Sequence, residues 1–223
     1  MWLATDMASF PQHLLDGYRT FTSQRLPTEQ SRYRELAERG QSPEVMVIGC
    51  CDSRVSPEVI FDAGPGELFV VRNVANLVPV YAPDAGAHGV SAALEFAVRA
   101  LRVKHIVVLG HAQCGGVRAF INKVEPLSPG DFIGRWMSMF IKPGEKVEQR
   151  HHETMADFTT RIEKATVFRS LENLMTFPFV RAAVERGEMQ LHGAYFGVAE
   201  GSLSVLDQTA KEFRSVSEAQ TSS

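Results

Sequence analysis

Apolar residues along this chain follow two kinds of pattern. Short runs rich in β-branched side chains recur, and longer stretches repeat at helical spacing. Val45-Met46-Val47-Ile48, Leu68-Phe69-Val70-Val71 and His105-Ile106-Val107-Val108-Leu109 belong to the first kind, and each predicts a short buried strand. Between the second and third, Ala93, Leu94, Ala97, Val98 and Leu101 make one stripe, which predicts a helix over Ser91 to Lys104 running straight into the third strand. Upstream, Phe10, Leu14, Leu15, Tyr18 and Phe21 are interleaved with charged residues from Ser9 to Arg39. That spacing is helical in pieces, and Pro27 is expected to separate two helices.

Downstream, Gly115-Gly116 is expected to open a helix reaching about Lys123. The polar middle, Glu125 to Thr166, is expected to hold helices near Phe132–Phe140 and Thr154–Thr166. Ser170 reads as the cap of a helix starting at Leu171. Pro178 suits the first turn of the next helix, and Gly187 its stop. Met189 to Val198 and Ser202 to Leu206 flank the turn Glu200-Gly201 as a candidate hairpin. Strands alternating with helices predict an α/β fold: a mostly parallel central sheet flanked by helices. The expected organisation is an N-terminal helical arm (1–40), an α/β domain (41–210) and a polar C-terminal tail (211–223).

Composition narrows the class. With 223 residues, 44% hydrophobic and 22% charged, the chain is a globular domain with at most an appendage, not a disordered, collagenous or coiled-coil protein. No apolar run approaches the roughly 20 residues of a membrane helix. The start lacks a basic region and carries Asp6 early, unlike a secretory signal. A net charge of −3 argues against a nucleic-acid partner. The three cysteines, 50, 51 and 114, fit free or metal-bound thiols in a reducing compartment, so a cytoplasmic protein is expected.

The candidate chemistry lies at two strand ends. The first strand runs into Gly49-Cys50-Cys51-Asp52-Ser53-Arg54, and the third into Gly110-His111-Ala112-Gln113-Cys114-Gly115-Gly116. In open α/β sheets, sites form beyond the carboxyl ends of strands. Two thiolates and one imidazole can then meet, the three-ligand set of a catalytic zinc site with its fourth position open. A structural zinc site would need a fourth protein ligand, a place Asp52 could take. The glycines leave room for close backbone packing, and a helix starting beside Cys114 favours its thiolate. Alternation along a strand forbids Cys50 and Cys51 from both facing the metal, but does not choose between them.

Cys50-x-Asp52-Ser53-Arg54 with His111-x-x-Cys114 resembles the β-class carbonic anhydrases. The resemblance continues through Glu67 to Val78, Ala92 to Ala97 and Ser170 to Val180, and spans about Gln41 to Leu206. It implies one Zn²⁺ per chain on Cys50, His111 and Cys114, with Cys51 the variable residue; by its own type Cys51 reads as a small buried residue, with a redox role as the alternative. It implies that Asp52 accepts a hydrogen bond from the hydroxide at the metal, while Arg54 holds that carboxylate in place. It puts Gln41, Phe69 and Phe96 in the substrate pocket of the plant-type branch, which often has Tyr where Phe96 stands. It further implies CO₂ and bicarbonate as the reacting pair, and a homodimer or larger assembly in which Gln41 reaches a neighbour's site. The bicarbonate-regulated branch has Trp and Tyr where Val47 and Phe196 stand here, although Arg72 matches. The implied activity is reversible hydration of CO₂; the alternatives are hydrolysis of carbonyl sulfide or carbon disulfide, or a non-catalytic zinc-holding or redox scaffold. His88, in Ala85-Gly86-Ala87-His88-Gly89, reads as a surface histidine with a proton relay as the alternative, and His151-His152 as a solvated helix start.

Overall fold

Strands that read as unbroken β-branched runs can bury both faces only inside a covered sheet. The computed structural model describes residues 10–84, 86–142 and 145–219. Residues 1–9 of the expected arm, Ala85 beside His88 and the last four residues of the expected tail lie outside them. The chain divides into two compact units, residues 1–41 and 42–223.

The larger unit is built on six strands: β1 (Val45–Cys50), β2 (Leu68–Asn73), β3 (His105–His111), β4 (Gln190–Gly197), β5 (Ser202–Asp207) and β6 (Glu212–Ser215). Their order is β2-β1-β3-β4-β5-β6. The first four in that order are parallel, β5 pairs antiparallel with β4, and β6 pairs antiparallel with β5. The expected hairpin is therefore β4–β5, turning at Gly201 with φ +63°. Residue 211 onward is not a plain tail, because β6 extends the sheet. Its one apolar side chain, Phe213, sets its ring 5.7 Å from Phe168 and 6.0 Å from Tyr195, centre to centre. A strand with a single apolar residue leaves no readable alternation.

Around the sheet lie α3 (Pro57–Ile60), α4 (Gly89–Glu95), α5 (Gly115–Ile121), α6 (Phe132–Ser138), α7 (Met155–Leu174), α8 (Pro178–Glu185) and α9 (Val216–Ala219). The helix expected over Ser91 to Lys104 starts earlier, at Gly89. It continues from α4 through a π-helical turn, Phe96–Leu101, and stops at Arg102, whose φ is +58°. Ser170 does not cap a new helix. It sits fully buried inside α7, where its hydroxyl donates to the Asn76 carbonyl and accepts from the Val78 N–H. A partner more than ninety residues away outcompetes the local capping role that serine's propensity suggests.

Met46, Ile48, Leu94, Ile106, Val108, Val167, Leu174 and Phe177 form one apolar cluster. A second surrounds Cys50, Val55, Ala75, Cys114, Val117, Met137, Phe158 and Ile162. A Cβ on Gly110 would lie 2.6 Å from a Val167 methyl, so glycine there lets α7 lie close against β3.

The smaller unit holds α1 (Gln12–Thr20), a π-helical turn (Phe21–Arg25) and α2 (Leu26–Arg39). Helical geometry is not interrupted at Pro27, which occupies the first turn of α2, where its missing N–H costs little. The ring centres of Phe21 and Tyr33 are 6.0 Å apart. On a straight helix those positions would be about 18 Å apart, so the chain bends at the π turn just before the proline. No helix among the described residues is long and apolar enough to cross a membrane.

Candidate metal centre and active site

Strands β1 and β3 are neighbours, with Gly49 level with Leu109, so Cys50 and His111 emerge at adjacent carboxyl ends. Cys114 is the residue before α5. One ligand atom from each of Cys50, His111 and Cys114 lies within 4.8 Å of the others, and all three residues are buried. The His111 Nδ1 lies 2.9 Å from the Ala112 carbonyl, which fixes a proton on that nitrogen. Nε2 is left buried with no hydrogen-bond partner among the described residues. An orphaned imidazole lone pair between two thiols is a donor set that a soft divalent cation fits. Cys51 is exposed, on the opposite side of the strand end from Cys50; it is not the buried residue expected.

The thiols show the same fit. The Cys114 thiol hydrogen-bonds Cys50 and holds its pKa well below the usual thiol range against the cost of burial, with help from His111 and the N–H groups of Asp52 and Ala75. Cys114 moves the opposite way: the Cys50 hydrogen bond, burial and the Cys50 charge push it up, and the Gly116 and Val117 N–H groups only partly oppose them. Without a cation the pair ionises once; a divalent cation removes the repulsion between two thiolates.

The loop after β2 completes the cradle. The Ala75 N–H points at the Cys50 sulfur from 3.4 Å, and Ala75 and Asn76 have φ of +63° and +51°. The Trp136 indole N–H donates to the Val74 carbonyl at 2.7 Å and secures this strained turn. A Cβ on Gly116 would meet Val74 at 2.6 Å, whereas one on Gly115 would meet open space. Only the second of the two glycines is needed for close approach.

Asp52 and Arg54 form a two-pronged ion pair: Nε donates to Oδ1 at 2.9 Å and Nη2 to Oδ2 at 2.7 Å. The Arg54 N–H adds a third contact to Oδ1 at 3.0 Å. This pairing holds the Asp52 carboxyl well below the usual carboxylate range. The same guanidinium donates to the Gln113 carbonyl at 3.1 Å, so it ties the β1 loop to the loop carrying Cys114. Arg72 clamps the first loop from behind, donating to the carbonyls of Cys50 at 2.8 Å and Asp52 at 2.6 Å. Sequence reasoning found Arg72 only as a family match; no local signal announces a clamp twenty residues away.

Phe69 and Phe96 stand elsewhere. Phe69 pairs in register with Met46, four residues before Cys50. At about 3.3 Å per residue that is roughly 13 Å along the sheet from the thiols. Its ring lies 5.9 Å from that of Phe96, which is 48% exposed. The two aromatics meet each other but do not line the Cys50–His111–Cys114 cluster of their own chain. Gln41 is exposed at the end of the smaller unit. Val47 and Phe196 pack into one small apolar cluster with Leu109 and Ala194. His88 is on the surface, 2.7 Å from Asp84, and His151 and His152 are exposed.

A family profile described as carbonic anhydrase matches residues 45–203. A carbonic anhydrase of Pseudomonas aeruginosa is 35% identical over 205 residues, which are 92% of this chain and 91% of the relative. The solved structure of the β-carbonic anhydrase CcaA superposes with a TM-score of 0.84 at 28% identity, covering 92% of this chain and 91% of that one. One of two tetrameric β-carbonic anhydrases from the ascomycete Sordaria macrospora gives 0.71 at 26% identity, with 88% and 96% covered. Profile, sequence relative and fold agree over the segment that carries both ligand loops, and the chain belongs to the carbonic anhydrase family, in its β class, whose reaction is the reversible hydration of carbon dioxide to bicarbonate and a proton.

Proposed function

We propose that this chain performs that reaction with one zinc ion held by Cys50, His111 and Cys114. The observation that carries the reading is the unpartnered His111 Nε2 buried between two thiols. Bound there, zinc would supply a water acidic enough to serve as nucleophile near neutral pH. The protein's own groups do the rest. Asp52 lies at the same strand end, ionised, and accepts a hydrogen bond from the nucleophile to orient it. Arg54 holds both carboxylate oxygens, which keeps Asp52 from closing the site as a fourth ligand. Arg72 fixes the backbone between the cysteine and the aspartate.

The substrate pocket belongs to the plant-type arrangement, with Gln41, Phe69 and Phe96 presented to a neighbouring copy. The separation of Phe69 from the cluster within one chain favours a shared site, as does the tetrameric state of the Sordaria relatives. The active unit is then a homodimer or a multiple of it, built from an arm (1–41) and a zinc-binding catalytic unit (42–223). Free thiols favour a cytoplasmic setting. Stopped-flow CO₂ hydration by zinc-loaded protein, with metal analysis and light scattering, tests all of this. A protein holding one zinc per chain without rate enhancement would refute the activity. A fully active species at monomer mass would refute the shared site.

A further inference from the structure

Glu163 is a carboxylate that packing alone does not account for. It is 2% exposed on the inner face of α7 and has no ion pair among the described residues. The nearest lysine in sequence, Lys164, places its ammonium over the rings of Tyr195 and Phe213 instead. An uncompensated buried carboxylate is costly, and here burial pushes its pKa up. Both of its oxygens are nevertheless used. Oε1 accepts the Cys114 N–H at 2.9 Å, and Oε2 accepts the Tyr195 hydroxyl at 2.6 Å. Tyr195 is itself buried on β4, level with Gly110 on β3, the residue before His111. Glycine at 110 allows the close α7 approach that brings a glutamate within reach of the Cys114 backbone.

We infer that Glu163, aimed by Tyr195, is a positioning residue for the metal centre: its carboxylate takes the Cys114 N–H and so fixes the direction of the Cys114 thiolate toward Cys50 and His111. The reasoning rests on Cys114 being a zinc ligand. Cys114 is the hinge between a left-handed residue, Gln113 with φ +57°, and the first turn of α5. A free N–H at that hinge would let the loop rotate and swing the sulfur out of the cluster. Groups that orient a metal's ligands contribute to metal retention without touching the metal.

The test compares Glu163→Met, Glu163→Gln and Tyr195→Phe in the zinc-loaded full-length protein. It reads zinc release to a chromogenic chelator and the thiolate-to-metal charge-transfer band of the cobalt(II)-loaded forms. Glu163→Met removes the acceptor and should release zinc about 10- to 100-fold faster, with a weakened cobalt band. Glu163→Gln keeps a carbonyl for the Cys114 N–H and should stay close to wild type. Tyr195→Phe keeps the volume, loses the aim, and should fall between. A purely structural tie would lower the melting midpoint of Glu163→Met while the folded protein kept wild-type release and an unchanged band; that result overturns the inference. So does release from Glu163→Gln as fast as from Glu163→Met, since charge would then be acting. If Glu163→Met fails to fold, wild-type release from Tyr195→Phe is decisive against it. Full zinc retention in Cys114→Ser would defeat the ligand assignment itself, separately from the behaviour of the Glu163 variants.

Discussion

Replacing Arg72 by methionine keeps most of the side chain's length and apolar stem while deleting the guanidinium. Two hydrogen bonds from a charged donor, to the Cys50 and Asp52 carbonyls, disappear together. Each such bond contributes about 1.5–3 kcal/mol. Arg72 is only half-buried, so water recovers part of that, and a combined loss of about 2–3 kcal/mol follows. For a domain of this size the melting midpoint should fall by roughly 5–10 °C. The catalytic consequence comes through the backbone, since Arg72 grips the carbonyls of Cys50 and Asp52 and not their side chains. A carboxylate displaced by about 1 Å can cost about 100-fold in rate. We expect kcat/KM for CO₂ hydration to drop at least tenfold in order of magnitude, with zinc content near one per chain. Arg72→Lys, which can reach only one carbonyl at a time, should fall between. Urea denaturation and stopped-flow hydration measure both effects. Wild-type stability and activity in Arg72→Met would show that the clamp carries no weight.

Cys50→Ser, His111→Ala and Cys114→Ser should each lose zinc and activity while Cys51→Ala keeps both; equal metal content in the Cys50 and Cys51 variants, by atomic absorption, would contradict the assignment. Asp52→Asn and Arg54→Ala should retain zinc and lose most of the activity, and hydration at the wild-type rate in either would remove the pair from the mechanism. Val47 and Phe196 offer no indole N–H or phenol, so bicarbonate should inhibit without cooperativity; a sigmoidal inhibition curve would refute this reading. Glu153, bonded first to Arg161 and also to the Arg150 N–H, has its pKa lowered from 4.5 to about 2. A depressed carboxyl stabilises the fold above its unfolded pKa and loses that contribution as pH falls from 4.5 toward 2. The urea-midpoint gap between wild type and Arg161→Ala should therefore be widest near pH 6 and narrow toward pH 2; a gap that stays constant would count against the ion pair.

Hydrophobic period and punctuation were enough to place β1 to β5, to pair β4 with β5 and to put the cysteines and histidine at strand ends, because a strand buried on both faces must be apolar throughout. Two loop motifs of a few residues, with the family resemblance choosing Cys50 over Cys51, pointed to the Cys50, His111 and Cys114 cluster that the fold brings together, since ligand spacing on a turn is local. What lay beyond the sequence shares one physical cause: it depends on groups brought together over long separations. Serine's propensity suggests a cap at 170, but the backbone of Asn76 and Val78, more than ninety residues away, claims its hydroxyl. β6 carries one apolar residue and exists only because β5 offers an edge to pair with. Cys50 and Cys51 are equivalent by composition, and only the side on which each emerges from β1 makes one buried and the other exposed. The anchors of the centre, Arg72 on two carbonyls and Glu163 on one N–H, grip backbone groups that every residue possesses, so nothing in the gripped residues' identity marks them.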